Sequence, residues 1–331
     1  MRFVIYGAGA IGGAIGGRLF QSGHDVMLIA RGAHARALRD RGLTLRSAEG
    51  SDTLTVPVAD HPAEAGLRDG DVVVLAMKSQ DTAAAVDALA GCAPFGIAVA
   101  CAQNGVENER TALRAFADVY GINVYCPATH LEPGVVLAFS SPVTGILDVG
   151  RYPGGSDDTA RAIAAALEES TFRSDARPDI LRWKYNKLLV NLGNAVEAVC
   201  DARRAEGDDQ QAATELVRMV RAEGEACLVA AGVDVATEHE FRARRGDLLA
   251  IRPIEGAPRS GSSSWQSLAR GTGSIETDYL NGEIVLLGRL HGVPTPANAL
   301  MQRLAREVAA EGGKPGARHA ADVLARLRGE S

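Results

Sequence analysis

The chain has 331 residues, 46% of them hydrophobic and 23% charged, with a formal net charge of −6. That length exceeds most single cores and suits two domains, and the acidic balance excludes the basic surface that general nucleic-acid binding needs. No apolar stretch approaches the roughly 20 residues that span a bilayer, so neither a nucleic acid nor a membrane is expected as a partner.

Residues 2–6 form a short β-branched and aromatic run that reads as a strand. It lacks a basic lead and a cleavage site, so no signal peptide is read and a cytoplasmic protein is expected. Gly7-Ala8-Gly9-Ala10-Ile11-Gly12 follows, then a helical pattern to about Ser22, a turn at Gly23, and a second apolar run, Val26–Ala30. Strand, glycine-rich turn, helix and strand make a βαβ unit. Leu43–Arg46 and Leu54–Val58 read as a hairpin. Asp71–Ala76, Gly96–Cys101 and Val119–Tyr125 read as buried strands, with a helix over Thr82–Leu89. Val135–Phe139 and Thr144–Val149 read as an antiparallel pair at the sheet edge. A helix over Thr159–Glu169 and an edge strand near Thr171–Ser174 close this half.

After Pro178 the pattern is helical: Ile180–Val199, Ala212–Ala231, Thr237–Leu249, Ile275–His291 and Ala297–Glu311, with a polar loop over residues 259–264 and a loosely held helix at the end. The expected architecture is an N-terminal Rossmann-like α/β domain over residues 1–175 and an all-α domain over 176–331. The five cysteines are scattered without a CxxC pair. Reduced buried thiols, with no disulfide framework and no metal site, are expected.

A glycine-rich turn between a strand and a helix presents backbone N–H groups and the helix N-terminus to a pyrophosphate. Gly7, Ala8, Gly9, Ala10, Ile11 and Gly12 are therefore cofactor-binding candidates. An NAD site ends its second strand with a carboxylate for the ribose hydroxyls. Here that strand ends Ile29-Ala30-Arg31-Gly32, and Arg31 suits a 2′-phosphate, which favours NADP(H). Lys78 and Asn104 each follow a strand and fall at the same rim of the sheet.

In Trp183–Asn194, Lys184, Lys187, Asn191 and Asn194 fall within one arc at about 100° per residue. Buried amides and an ammonium need partners, and a 2-oxo acid would supply them. A lysine ammonium can polarise the carbonyl and then protonate the developing alkoxide, and asparagines can hold the carboxylate and hydroxyl. Ser262 and Ser263 could bind a carboxylate, and Glu276 could contact the cofactor ribose or orient the lysine.

In its ordered set of markers the chain resembles the ketopantoate reductase family. These markers are Gly7–Gly12, Arg31, Lys78, Gln103-Asn104-Gly105, Lys187 with Asn191, Ser262-Ser263 with Gln266, Glu276 with Asp278 and Asn281-Gly282, and the stretch Gly292–Asn298. The resemblance implies Lys187 as general acid and Asn104 beside nicotinamide and substrate. It implies substrate contacts at Asn191 and Ser263, a cofactor contact at Glu276, and reduction of ketopantoate to pantoate with NADPH. The family's second asparagine position on the lysine helix is Ala195 here, with Asn194 one place early, and the aspartate after the serine-loop glutamine is Ser267. The same chemistry on another 2-oxo acid or an imine, and a non-catalytic NADP-sensing protein, are the alternatives. The long helices after residue 210 could bury a partner in a homodimer.

Overall fold

The computed structural model describes residues 1–257, 261–271 and 273–329. In the N-terminal half the elements are β1 (Arg2–Tyr6), α1 (Ala10–Gln21), β2 (Asp25–Ile29), α2 (Gly32–Arg41), β3 (Leu43–Ser47), β4 (Gly50–Leu54) and β5 (Val58–Ala59). Then come β6 (Val72–Leu75), α3 (Thr82–Ala90), β7 (Ala98–Cys101), α4 (Asn108–Leu113), β8 (Asp118–Tyr125), β9 (Ala128–Thr129), β10 (Val135–Ala138), β11 (Ser140–Pro142), β12 (Gly145–Arg151), α5 (Asp158–Glu169) and β13 (Phe172–Arg173). The remainder is α6 (Ile180–Asn191), α7 (Gly193–Cys200), α8 (Gly207–Ala230), α9 (Glu238–Arg245), β14 (Leu249–Ile251), α10 (Ser263–Ala269), α11 (Asn281–His291), α12 (Pro296–Ala310) and α13 (Ala320–Arg328).

The main sheet has the order β13-β12-β8-β7-β6-β1-β2-β5. It is parallel from β5 to β8; β12 then runs antiparallel to β8 and β13 parallel to β12. Side chains alternate across the sheet. Phe3, Ile5, Val72 and Val74 pack into the core on one face; Val4, Val73 and Val99 pack into a second core on the other. Helix α1 lies close on the sheet because its inner face is glycine. A Cβ at Gly16 would sit 2.7 Å from Leu28 Cδ2, and one at Gly13 would sit 2.7 Å from Val136 Cγ2. Interior glycines cost the helix about 1 kcal/mol each in propensity, a cost offset by the close approach they permit. From β1 the chain moves to β2 on one side and later to β6 on the other, so the topological switch point lies at the carboxyl ends of β1 and β6. Open α/β sheets bind ligands there.

The chain divides into two compact units: Met1–Lys184 with Thr237–Arg259, and Tyr185–Ala236 with Ser260–Ser331. The first is the α/β unit, and the second is helical. This differs from a single boundary at residue 175 in two ways. The first unit keeps the opening turn of α6. It also takes back α9 and β14, because β14 pairs with β11 and Arg244 lies on the buried Asp148 carboxylate, Nε to Oδ2 3.0 Å, beside Arg177 at 2.7 Å.

Several local expectations fail. The runs at 135–139 and 144–149 do not pair with each other: β10 joins β3 and β9, while β12 joins β8. The residues between them, expected as a turn, form β11 and stay extended against β14. The partner of β3 begins earlier than expected, at Gly50, and Val58 instead starts an edge strand beside β2. Helix α9 stops at Gly246, whose φ of +45° is open to glycine. The terminal helix is docked, with Ala320, Val323 and Leu324 buried. Arg259 and Ser260 of the expected polar loop lie outside the described residues.

Candidate functional site

At the switch point the turn is built by close backbone contacts. Gly7 donates its N–H to the Ile29 carbonyl at 2.9 Å and holds φ at +101°. A Cβ at Gly7 would lie 2.7 Å from Met77 N, and one at Gly12 would lie 2.1 Å from Gly7 O. Gly9 is the N-cap of α1 and faces open space. Helix α1 has no side-chain cap and no acidic residue in its first turn. Its first N–H groups and the positive end of its dipole thus remain for an external anion. Ala8 is buried, and Ala10 and Ile11 are half-buried. A phosphate fits this cradle, because any Cβ that would clash is missing and no carboxylate competes.

Arg31 follows β2, is exposed, and holds an extended backbone as the N-cap of α2. It pairs with no carboxylate among the described residues. Lys78 is half-buried and caps the 3-10 turn Ser79–Asp81 after β6. Asn104 follows β7, half-buried, with its carbonyl accepting from Asn108 Nδ2 at 2.9 Å and Ser79 Oγ at 3.3 Å. The turn, Arg31, Lys78 and Asn104 therefore sit at the carboxyl ends of four neighbouring strands. Sequence reasoning missed the network beneath them. Gln103 Nε2 donates to Thr82 Oγ1 at 2.7 Å and to Met77 O at 3.0 Å, and Thr82 Oγ1 donates to Asn108 Oδ1 at 2.8 Å. These bonds lock the β6 and β7 rims together.

Helix α6 separates two lysines that the helical arc groups together. Lys184 is 2% exposed; its Nζ lies 2.5 Å from Oε1 of the fully buried Glu109 and donates to Gln103 O at 3.1 Å. Burial raises the Glu109 carboxyl, with Lys184 pulling against it. Lys184 is thus part of the α/β core. Lys187, one turn later, belongs to the helical unit. Burial of its ammonium pushes its pKa down to about 8 from the ordinary 10.5, although the residue as a whole retains partial exposure. Asn191, at i+4 from Lys187, shares its face. It is 4% exposed, and its Nδ2 finds no acceptor among the described residues. Asn194 follows on α7, half-buried. Leu192, between the two helices, keeps helical dihedrals of φ −59° and ψ −33°, and its N–H donates to Leu188 O at 3.1 Å, so the helical phase carries on to Asn194.

In the same unit α10 packs on α7. Ser262 caps α10, its hydroxyl accepting from Trp265 N at 3.3 Å, and its own N–H donates to Glu197 Oε1 at 3.1 Å. The hydroxyls of Ser263 and Ser264 are buried and unpaired among the described residues. Glu276 is buried at the start of a 3-10 turn, Glu276–Tyr279, just before α11. Two markers have structural roles: Asn281 Nδ2 donates to Asn298 Oδ1 at 3.0 Å, and Asn298 Nδ2 donates to Glu223 Oε2 at 2.8 Å.

Comparison with known proteins agrees along nearly the whole chain. The family model described as ketopantoate reductase PanE/ApbA matches residues 3–154, and its C-terminal counterpart matches residues 179–309. The chain is 28% identical to a 2-dehydropantoate 2-reductase of Pyrococcus horikoshii, covering 95% of this chain and 99% of that protein. It is 30% identical to one from Halobacterium salinarum, covering 92% and 98%. A crystal structure of a PanE/ApbA family ketopantoate reductase from Ralstonia eutropha JMP134 superposes with a TM-score of 0.78 at 29% identity, over 94% of this chain and 99% of that one. D-mandelate dehydrogenase, in a ternary structure with NADH and anilino(oxo)acetate, shares the fold at a TM-score of 0.79 and 22% identity, over 94% and 99%.

Proposed function

The chain belongs to the ketopantoate reductase family of oxidoreductases, and we propose that it uses NADPH to reduce a 2-oxo acid to the 2-hydroxy acid, with ketopantoate the leading substrate. The carrying observation is Lys187, its ammonium pushed down to about 8 by burial, one helical turn from a buried Asn191 amide that lacks an acceptor. A general acid works best with a pKa near the operating pH.

The α/β unit carries most of the dinucleotide contacts, and the helical unit supplies Glu276. Residues 7–12 bind the pyrophosphate with backbone N–H groups, Arg31 pairs with the 2′-phosphate, and Lys78, Asn104 and Glu276 contact the rest of the cofactor. When bound, the reduced nicotinamide supplies hydride to the substrate's carbonyl carbon. Lys187 Nζ–H polarises the carbonyl oxygen and gives up its proton as that oxygen becomes an alkoxide. Asn191 Nδ2, with Asn194 and the hydroxyls of Ser262 and Ser263, holds the carboxylate and hydroxyl without adding charge. Support for NADPH over NADH is Arg31 standing exposed where an NAD site carries a carboxylate.

The test is NADPH oxidation with ketopantoate and a panel of 2-oxo acids. Lys187→Ala should lower kcat on the order of 10²- to 10⁴-fold and leave NADPH affinity unchanged. Turnover by Lys187→Ala at the wild-type rate would remove the lysine from the mechanism. Tight NADPH binding without turnover of any 2-oxo acid would remove the reaction.

A further inference from the structure

We infer that His34 is a positioning residue for the nucleotide site: its imidazole fixes the Ala8–Gly9 peptide of the glycine-rich turn. The inference rests on the reading of that turn as the pyrophosphate cradle. His34 lies in the first turn of α2, three residues after Arg31, and is half-buried. Gly134 donates its backbone N–H to His34 Nδ1 at 3.0 Å. Nδ1 therefore carries a lone pair, and the ring proton sits on Nε2. Nε2 in turn donates to the Ala8 carbonyl at 2.7 Å. A carbonyl can only accept, so the two bonds together demand the neutral Nε2–H tautomer. Burial favours the same neutral form by lowering the ring's pKa. The ring also stacks on His130, centroids 4.2 Å apart, and His130 Nδ1 donates to Val135 O at 3.0 Å.

The consequence follows from peptide planarity. Ala8 C=O and Gly9 N–H belong to one planar trans unit and point in opposite directions. Holding the carbonyl towards His34 aims the Gly9 N–H away from it. A Cβ at Gly9 would meet nothing within 4 Å, and the Gly9 N–H has no acceptor among the described residues. Left alone, this peptide could rotate as a unit, since glycine tolerates both hands of φ. One ring thus ties the turn to the helix that Arg31 caps and to the loop before β10, setting the pyrophosphate donor and the 2′-phosphate arginine in one frame.

The test is NADPH affinity and steady-state kinetics for four full-length proteins: wild type, His34→Ala, His34→Gln and His34→Asn. Glutamine can extend a donor to Ala8 O, whereas asparagine can offer only an acceptor to Gly134 N–H. Loss of one positioning hydrogen bond should raise the NADPH Kd of His34→Ala about tenfold, with kcat at saturating NADPH changed by no more than about twofold. His34→Gln should recover most of the affinity, and His34→Asn little. Unchanged Kd in His34→Ala beside a lowered melting temperature would overturn the inference, leaving the ring a purely structural pin. So would equal rescue by asparagine. Wild-type protein that binds neither NADPH nor NADH would overturn the underlying reading instead, and that outcome is visible before any variant is compared.

Discussion

Replacing Lys184 with methionine removes the cation from a carboxylate that has no access to water. Glu109 is 0% exposed, and the Lys184 ammonium is 2.5 Å from its Oε1. Breaking such a buried pair from one side costs about 3–5 kcal/mol. For a unit of this size that corresponds to a melting temperature lower by roughly 6–20 °C. The loss should depend on pH, with a definite sign. Burial already raises the Glu109 carboxyl above its ordinary value, and Lys184 opposes the rise; without the lysine it climbs further. A carboxyl raised in the folded state takes up a proton on folding. Its stability is fully present below the ordinary carboxylate range and is lost as pH rises through the folded value. Lys184→Met should therefore be mildly destabilised at pH 5 and severely at pH 8, measured by circular-dichroism melts at each pH. The double variant Lys184→Met, Glu109→Leu should return to within about 2 kcal/mol of wild type at pH 8, because no buried charge is left behind. Wild-type stability in the single variant at pH 8, or an equal loss at both pH values, would refute this account.

The remaining predictions concern the site. Reduction should require protonated Lys187, so kcat should fall as pH rises through about 8; a profile flat to pH 10 contradicts that acid. Because the lysine is depressed in the folded state, the same group makes folding more favourable as pH climbs from 8 towards the ordinary lysine value. Arg31→Ala should weaken NADPH about 10- to 100-fold, the loss of charged hydrogen bonds, and leave NADH affinity unchanged. Asn191→Ala should lower kcat/KM for the oxo acid about 10- to 100-fold with little change in melting temperature, since Nδ2 has no acceptor to lose among the described residues. Gly12→Ala should abolish nucleotide binding, because its Cβ would fall 2.1 Å from Gly7 O.

Much of the α/β unit is legible in the sequence because its signals are local. Strand β1, the turn, α1 and β2 are consecutive, and each has its own period or turn chemistry. What is not legible is non-local. The segment 140–142 contains serine and proline and reads as a turn, yet it stays extended because β14, more than a hundred residues later, supplies its partner. The return of α9 and β14 to the α/β unit rests on Arg244 reaching Asp148, a pairing that no window contains. The two lysines of α6 differ for the same reason. A helical wheel places Lys184 and Lys187 on one arc, but Glu109, on another helix, claims only the first. His34 carried no signal at all, since its role depends on a carbonyl and an N–H from two other loops.

The junction of α6 and α7 is tied from downstream. Asn281 Nδ2 donates to the carbonyl of Leu192 at 3.1 Å, at the point where α6 gives way to α7. The backbone stays helical there, with φ −59° and ψ −33° at Leu192 and its N–H on Leu188 O at 3.1 Å, so the helical phase is kept. Asn281 is itself held by Asn298, and Asn298 by Glu223 of α8. A Cβ at the next residue, Gly193, would come within 3.4 Å of Val217 on α8, so that helix passes close to the junction. The asparagine markers far downstream of Lys187 thus hold the lysine helix in place without joining its chemistry. Substituting Asn281 with alanine would leave the buried Asn298 Oδ1 without its donor, at a cost of about 1–3 kcal/mol. Its effect should therefore appear as a lowered melting temperature more than as a loss of the proton transfer, and a lowered kcat at an unchanged melting temperature would contradict that assignment.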